Sequence, residues 1–443
     1  MPPSISLLAA TFLVVASMLG SGILTTSGAI LGLVKSPDAV LTVWLVAGCH
    51  AVLGAFCYGI IARRIRENGG EASILRQFFT PALGEIAGWV SFIVGFAASN
   101  AASAIGFGAY LAKACPALGA LVKTAAVCAI LLVTLLHSFS GPLGIRIQTG
   151  MAVLKFGMLA GLTSWGLSHT PVVVPSEPGA VAAAPFGSAW GLAVMFSMFA
   201  YLGWSAAIYS SAETRDAKRN VPRAMLLGTL VVMLLYLGVN VVLLRHIPLS
   251  ELSTEKAVLE LLVRKMFGSE AAVAFSGLVA FALLSSLGAS AFLGPRVLDA
   301  MLAWYRSKPP DTQRVQEQHQ DTRQPSERTI SPRLLWLQAG LSMAMIVSGT
   351  FEQILTVTGF LLGFFPMLAV LGLYGRRANT PERVPRFAAW FAAPVFLGGS
   401  LLILGLGAAE SPLEMAVATA VVLVIFLMRR KPMAAAPLDV ASL

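Results

Sequence analysis

Gly20-Ser21-Gly22-Ile23-Leu24 interrupts an apolar stretch that runs from about Ile5 to Val34. A helix in hydrocarbon must satisfy its own backbone, because lipid offers no hydrogen-bond partners. Two glycines flanking a serine halfway along such a span favour an unwound segment. Freed N–H groups there can hold a carboxylate, and freed carbonyls an ammonium. A second irregular stretch, Phe199-Ala200-Tyr201-Leu202-Gly203-Trp204-Ser205, falls inside a later apolar run. One broken helix near the start of each half of a chain is the pattern of a transporter site at a repeat interface. Lys155 is the third feature. It follows Arg146 by nine residues, which puts it ~13 Å deeper at ~1.5 Å per residue. An ionisable group at that depth is a functional candidate, against the plainer reading of a structural lysine satisfied by carbonyls. Gly28-x-x-x-Gly32, by contrast, reads as a helix-packing motif.

The elements that must position these residues are membrane helices. Apolar residues make up 57% of the 443 positions, charged residues 12%, and mean hydropathy is +0.79. A soluble domain carries about 25% charged residues, and a bilayer core of ~30 Å needs ~20 apolar residues per helix. The first apolar segment has no basic flank and is too long for a signal-peptide core, so it is expected to stay as a helix. Apolar runs between polar breaks predict twelve spans, at about 5–33, 39–62, 86–113, 120–139, 146–169, 189–212, 222–246, 270–303, 333–350, 352–375, 388–408 and 412–429. Cys49, Cys57, Cys115 and Cys128 show no metal-ligand spacing. The expected class is an all-α membrane protein with no metal and no cofactor.

Lys and Arg set the orientation. With the N-terminus inside, the cytoplasmic segments hold 22 basic residues and the outer segments 7, Lys155 and Arg296 lying within spans. This bias predicts both termini on the cytoplasmic side. It also accounts for the net charge of +10 without a nucleic-acid partner. The polar segment from about Ser307 to Pro332 reads as a mobile cytoplasmic loop, a plain linker rather than a regulatory docking site. His137 and Asp299, near cytoplasmic ends, read as structural or solvated.

Several motifs, in order and at matching distances over about residues 5–390, resemble the amino acid–polyamine–organocation superfamily, most closely its L-type amino acid transporter-like branch. Gly20-Ser21-Gly22-Ile23 resembles its first-helix motif, and Phe199 to Trp204 its sixth-helix motif. Glu213 through Ala224 resembles the loop that follows, with Ala217 where the family has a proline. Gly69-Gly70-Glu71 and Arg296-Val297-Leu298 are similar to its motifs after helix two and at the end of helix eight. The resemblance implies a leucine-transporter-like fold with helices 1 and 6 broken. Residues 1–379 would form a 5+5 inverted-repeat core, with repeats at about 5–169 and 189–375, and residues 380–443 helices 11 and 12 with the tail.

The resemblance also implies roles. N–H groups at Ser21, Gly22 and Ile23 would take a substrate carboxylate, a dipole-favoured place for negative charge. Carbonyls near Ser17 and Met18, and at Phe199, Ala200 and Leu202, would take the α-ammonium. Phe199 would gate the substrate; by itself it reads as a packed core aromatic. Lys155 would stand in for a sodium ion, its partners drawn from carbonyls of helix one and a hydroxyl among Ser285, Ser286 and Ser290. Asn100, ten residues before Tyr110, would lie at the substrate side chain, or else make an interhelical hydrogen bond. Ser205 and Ser290 would line the pocket.

Acidic residues avoid the middle of every span, so a cationic substrate finds no carboxylate. The expected function is a permease for small to medium neutral L-amino acids in the cytoplasmic (inner) membrane. Lys155 argues against sodium symport and leaves obligatory exchange and proton symport open. A carrier of cationic amino acids or polyamines is the nearest rival, and a non-transporting amino acid sensor the next. An enzyme is disfavoured, since no HExxH, Walker loop or nucleophile elbow occurs. Cys115-Pro116 lies near where eukaryotic relatives bond an accessory glycoprotein. Here it reads as a free thiol, with a monomer or homodimer and no obligatory accessory subunit expected.

Overall fold

In the computed structural model the chain is described over residues 5–65, 70–139, 143–171, 186–306, 332–375 and 384–430. The 307–331 loop, Gly69 and the tail from Lys431 lie outside the described residues, as do the side chains of Arg146, Glu213 and Arg296. Nine helices or helix runs among the described residues are long and apolar enough to cross a membrane, and the segments Ser188–Ala200 and Pro412–Met428 are shorter apolar helices.

The first apolar stretch forms three pieces: α1 (Leu7–Met18), α2 (Ser21–Thr25) and α3 (Ser27–Val34). The Ser6 hydroxyl caps α1 by accepting from the Ala9 N–H, and Lys35 closes α3 in the left-handed region at φ 55°. α4 (Pro37–Arg64) starts on a proline with Asp38 in its first turn and ends on Arg63 and Arg64, charges that match the helix dipole at both ends. α5 (Gly70–Phe78) is a short amphipathic helix. α6 (Pro81–Val90) passes through a π-helical segment, Ser91–Ala98, into α7 (Ser99–Ala114). α8 (Val122–Phe139) and α9 (Leu143–Ser168) complete the first half.

α10 (Ser188–Ala200) opens the second half, followed by five turn residues and a 3₁₀ stretch, Ala206–Glu213. Then come α11 (Ala217–His246), α12 (Leu249–Leu252), α13 (Val258–Phe267), α14 (Ser269–Arg306), α15 (Pro332–Ser348), α16 (Phe351–Leu371), α17 (Ala393–Glu410) and α18 (Pro412–Arg430). α11 lies along both α4 and α1, while α14 lies along α7. Small residues permit this closeness. A Cβ on Gly59 would fall 2.9 Å from the Pro222 ring, and one on Gly228 2.8 Å from Val14. Large apolar side chains such as Leu8, Trp390 and Met428 stay exposed on the outside, where lipid tails would cover them.

Different chemistry closes the two ends of the bundle. At one end α13 lies across α2 and α14, with Lys113 held 2.6 Å from Glu255 and 3.8 Å from the buried Glu260, which also pairs with Arg264. At the other end, Glu71 accepts from the phenols of Tyr58 (3.3 Å) and Tyr209 (2.9 Å). There too the chain before α1 forms an isolated parallel bridge with the chain after the 3₁₀ stretch, Arg215 N–H donating to the Ile5 carbonyl at 2.9 Å.

Candidate functional site

Both breaks fall where the sequence puts them, and they face each other. Helix α1 stops because Leu19 (ψ 67°) and Gly20 (φ −102°, ψ −159°) leave helical geometry, and the Gly20 N–H folds back onto the Met18 carbonyl at 2.7 Å. The ladder restarts at Ser21 and runs on through Thr26, whose N–H bonds Gly22 and whose carbonyl accepts from Ile30. No side chain caps this new start, so the N–H groups at Ser21, Gly22 and Ile23 are the unfilled donors of a helix N-terminus. In the second break Tyr201 and Leu202 tighten onto Met198 and Phe199, and Gly203 sits at φ +103°, a conformation that glycine adopts without strain.

The contacts between the breaks are crossed. A Cβ on Gly22 would lie 2.4 Å from the Ala200 Cα, and a Cβ on Gly203 would lie 2.7 Å from the Ser17 carbonyl oxygen. The start of one half-helix thus meets the end of the other on both sides. Tyr236 of α11 fastens the crossing. Its buried hydroxyl is 2.7 Å from the Met18 carbonyl and 3.2 Å from the Ala200 carbonyl, one proton shared between the two broken helices. Trp44 packs edge-on and Tyr201 tilted against that ring, and the Tyr201 hydroxyl donates to the Trp44 carbonyl at 3.2 Å. Sequence reasoning missed Tyr236. The available signal was a phenol and Asn240, one turn apart, inside an otherwise apolar run.

The carbonyls assigned to an ammonium are therefore partly engaged. Met18 already accepts from Gly20 and Tyr236, Ala200 accepts from Tyr236, and Phe199 accepts from the Leu202 N–H at 3.2 Å. Each carbonyl has two lone pairs, so Ala200 and Phe199 keep room for a further donor. The Ser17 hydroxyl turns back to Leu13 at 2.8 Å, leaving its carbonyl as the group that faces Gly203.

Lys155 is 5% exposed, and its Nζ donates to Ser286 Oγ at 2.6 Å, joining α9 to α14. Of the three hydroxyls considered, Ser286 is the one it reaches; among the described residues no hydrogen bond joins it to a carbonyl of α1. Ser290 is half-buried, and its carbonyl accepts from Gln338 at 3.0 Å. Asn100 is 4% exposed and its Oδ1 has no hydrogen-bond partner. One turn on, Ser103 donates to Ser21 at 3.2 Å, a contact not foreseen from the sequence. Tyr110 donates to the Leu24 carbonyl at 2.8 Å and accepts from the Leu259 N–H, tying α7 to α2 and α13. Phe199 is buried and Ser205 half-buried. No cluster of three His, Cys, Asp or Glu suited to a metal occurs among the described residues.

The arrangement offers a dipolar ligand opposite helix ends: unfilled N–H groups on one side and carbonyls with spare lone pairs on the other. The chain is also similar to known amino acid transporters. The chain is 27% identical over 263 residues to the b(0,+)-type amino acid transporter 1 of Mus musculus, covering 57% of this chain and 53% of that protein. The chain thus spans about half the length of that relative. It is 24% identical over 411 residues to the serine/threonine exchanger SteT of Bacillus subtilis (strain 168), covering 90% of each. It is 23% identical over 402 residues to the cystine/glutamate transporter of Homo sapiens, covering 86% of this chain and 76% of that protein. The amino acid permease family model matches residues 5–428, and the protein belongs to that family.

Proposed function

We propose that this protein is a secondary amino acid permease of the cytoplasmic membrane, alternating access around the crossing of its two broken helices. The carrying observation is the crossing itself, where Gly22 abuts Ala200 and Gly203 abuts Ser17. In this reading the Ser21, Gly22 and Ile23 N–H groups receive the substrate carboxylate, because they are unfilled donors at the positive end of a helix. The carbonyls of Ser17, Met18, Phe199, Ala200 and Leu202 form the ammonium side. Asn100, Ser205 and Ser290 border the substrate side chain, with Phe199 as gate. Lys155 on Ser286 braces the scaffold in place of a sodium ion.

The chain is read as twelve spans with both termini cytoplasmic, in a 5+5 repeat followed by two helices. Supporting this, α15 (Pro332–Ser348) supplies a further apolar segment beside the nine long helices and the two shorter ones. No carboxylate stands at either break, which favours a neutral substrate of small to medium size over a cationic amino acid or a polyamine. A relative named as a serine/threonine exchanger fits that preference for small neutral substrates, and the reading holds sodium-independent exchange and proton symport as its two modes.

Counterflow in proteoliposomes tests the reading. Vesicles loaded with unlabelled amino acids should accumulate labelled alanine or leucine, and external arginine should compete poorly. Strong competition by arginine would turn the reading toward the cationic class. Ligand-induced thermal stabilisation without any counterflow would turn it toward a sensor.

A further inference from the structure

His50 has no part in the substrate site just described, yet it sits at mid-membrane depth. It is the fourteenth of the 28 residues of α4, ~20 Å from either end at ~1.5 Å per residue. The other described histidines, His137, His169 and His246, lie at or beside helix ends. His50 is 7% exposed and borders a small void between α4, α10, α16 and α17. That void lies beside the helix-six break, bordered by Phe199, Tyr201 and Leu202, rather than within the crossing of the two breaks. It measures ≈ 30 Å³ to the centres of water-sized spheres, enough for one or two waters.

A second observation at the same void points to a ligand. Thr358 lines it, is 0% exposed, and its Oγ1 has no hydrogen-bond partner. A buried hydroxyl left unpaired costs free energy unless something fills it. On its other side His50 meets Ser400, with Nε2 and Oγ 3.2 Å apart. Its ring lies flat on Phe396, centroids 4.3 Å apart and planes 16° from parallel.

These surroundings suit a ring that changes charge. A backbone carbonyl can only accept, so it fixes the nitrogen facing it as a donor. A hydroxyl both donates and accepts. Ser400 can donate to a neutral Nε2 and accept from a protonated one by rotating its O–H. Thr358, across the void that it shares with His50, can answer the ring through one water in the same way. The Phe396 face attracts a cation within ~6 Å of its centroid. The carboxyl end of α10, negative by its dipole, borders the void at Met198 and Phe199. Titratable groups around His50 are few. Tyr201 from α10 lines the same void, Tyr236 from α11 packs on Tyr201, and Cys49 and Cys57 lie on α4 itself. No titratable side chain of α16 or α17 borders the void. Neither charge state of the ring meets an opposing or like full charge among the groups that line the void.

We propose that His50 is a proton-binding site of the transport cycle, loaded in the void it shares with Thr358. One proton would enter from the aqueous side with each amino acid, reside on the imidazole while the void is closed, and leave on the opposite side. Because the void borders the helix-six break, occupancy there and movement of Phe199 and Leu202 are mechanically coupled. This rests on the permease reading and decides its coupling in favour of proton symport.

The test uses full-length protein in proteoliposomes that contain a pH-sensitive dye, with potassium and valinomycin to clamp the potential. An equimolar mixture of L-alanine, L-serine and L-leucine is added outside. Counterflow of the same mixture in labelled form is measured in parallel. Wild-type vesicles should acidify on addition. His50→Gln, which keeps an amide for Ser400, should lose at least tenfold of the acidification and keep counterflow within about threefold. Thr358→Val preserves shape and removes only an unpartnered hydroxyl; it should lose severalfold of the acidification. Counterflow without acidification in the wild type would overturn the proton site alone. Absence of counterflow would overturn the permease reading and the site with it. Acidification at the wild-type rate in His50→Gln would also overturn it, and if that variant fails to fold, an unchanged rate in Thr358→Val does so.

Discussion

Gly22 and Ala200 stand so close that a single added carbon on the glycine would overlap the alanine main chain, at 2.4 Å from its Cα. The neighbour is backbone, which cannot rotate away, so the break in helix one has no slack. Gly22→Ala is therefore expected to push the two broken helices apart, at a cost of about 1–3 kcal/mol. Uptake should fall at least tenfold, with a lowered melting temperature in detergent. Wild-type transport by this variant would mean that the crossing is not the site.

Lys155 and Ser286 make a different kind of joint, between α9 and α14. If Lys155 serves the transport cycle as proposed, Lys155→Ala should abolish uptake while membrane expression stays near wild type. Ser286→Ala should act in the same direction and more weakly, because it leaves a buried ammonium short of one partner. Radiolabelled uptake normalised to expressed protein measures both. Normal uptake in Lys155→Ala would remove the lysine from the mechanism.

Asn100 carries a buried amide oxygen with no protein partner. If a substrate side chain supplies that partner, Asn100→Leu should raise the KM for serine severalfold more than the KM for leucine. Competition curves on one preparation compare the two. An equal change for both would assign Asn100 to packing.

Glu255 provides the pH prediction. Burial by itself would raise its pKa, but the Lys113 ammonium at 2.6 Å and the Ala257 and Lys256 N–H groups outweigh burial and hold it below the usual carboxylate value of 4.5. A folded-state value below the unfolded one makes the carboxylate stabilising above the unfolded value. That contribution is lost as pH falls through the folded value. Melting temperature should hold between pH 8 and about 5, then drop in more acidic buffer. Glu255→Gln should melt lower at pH 7 and lose less on acidification. A parallel pH curve for the variant would show that the pair carries no stability.

The breaks and the depth of Lys155 were legible because each violates a local rule. Glycines in mid-span and a charge at bilayer depth stand out against an apolar background. The start of α11 at Ala217, five residues before the expected 222, was less legible, because its first turn is polar and Pro222 follows inside the helix. α5 and α13 are amphipathic and short, so neither gives a membrane-length signal. Ser103 and Tyr236 are ordinary residues in apolar runs. Their roles depend on which helix faces them, and one-dimensional spacing does not carry that. Ser286 was legible as one of three hydroxyls, the choice among them needing the rotation of α14.

The unlike closures at the two ends have a consequence for how the solution on each side acts on the protein. A lysine–glutamate contact near the surface weakens as ions accumulate around it, with a screening length of about 8 Å at physiological salt. Two phenols on one carboxylate depend far less on dissolved ions. Raising salt on the Lys113 side should ease opening there, and the two phenol contacts to Glu71 should themselves respond little. The direction in which the carrier prefers to face would then respond to the medium at the Lys113 rim, a vectorial bias written into the ammonium there.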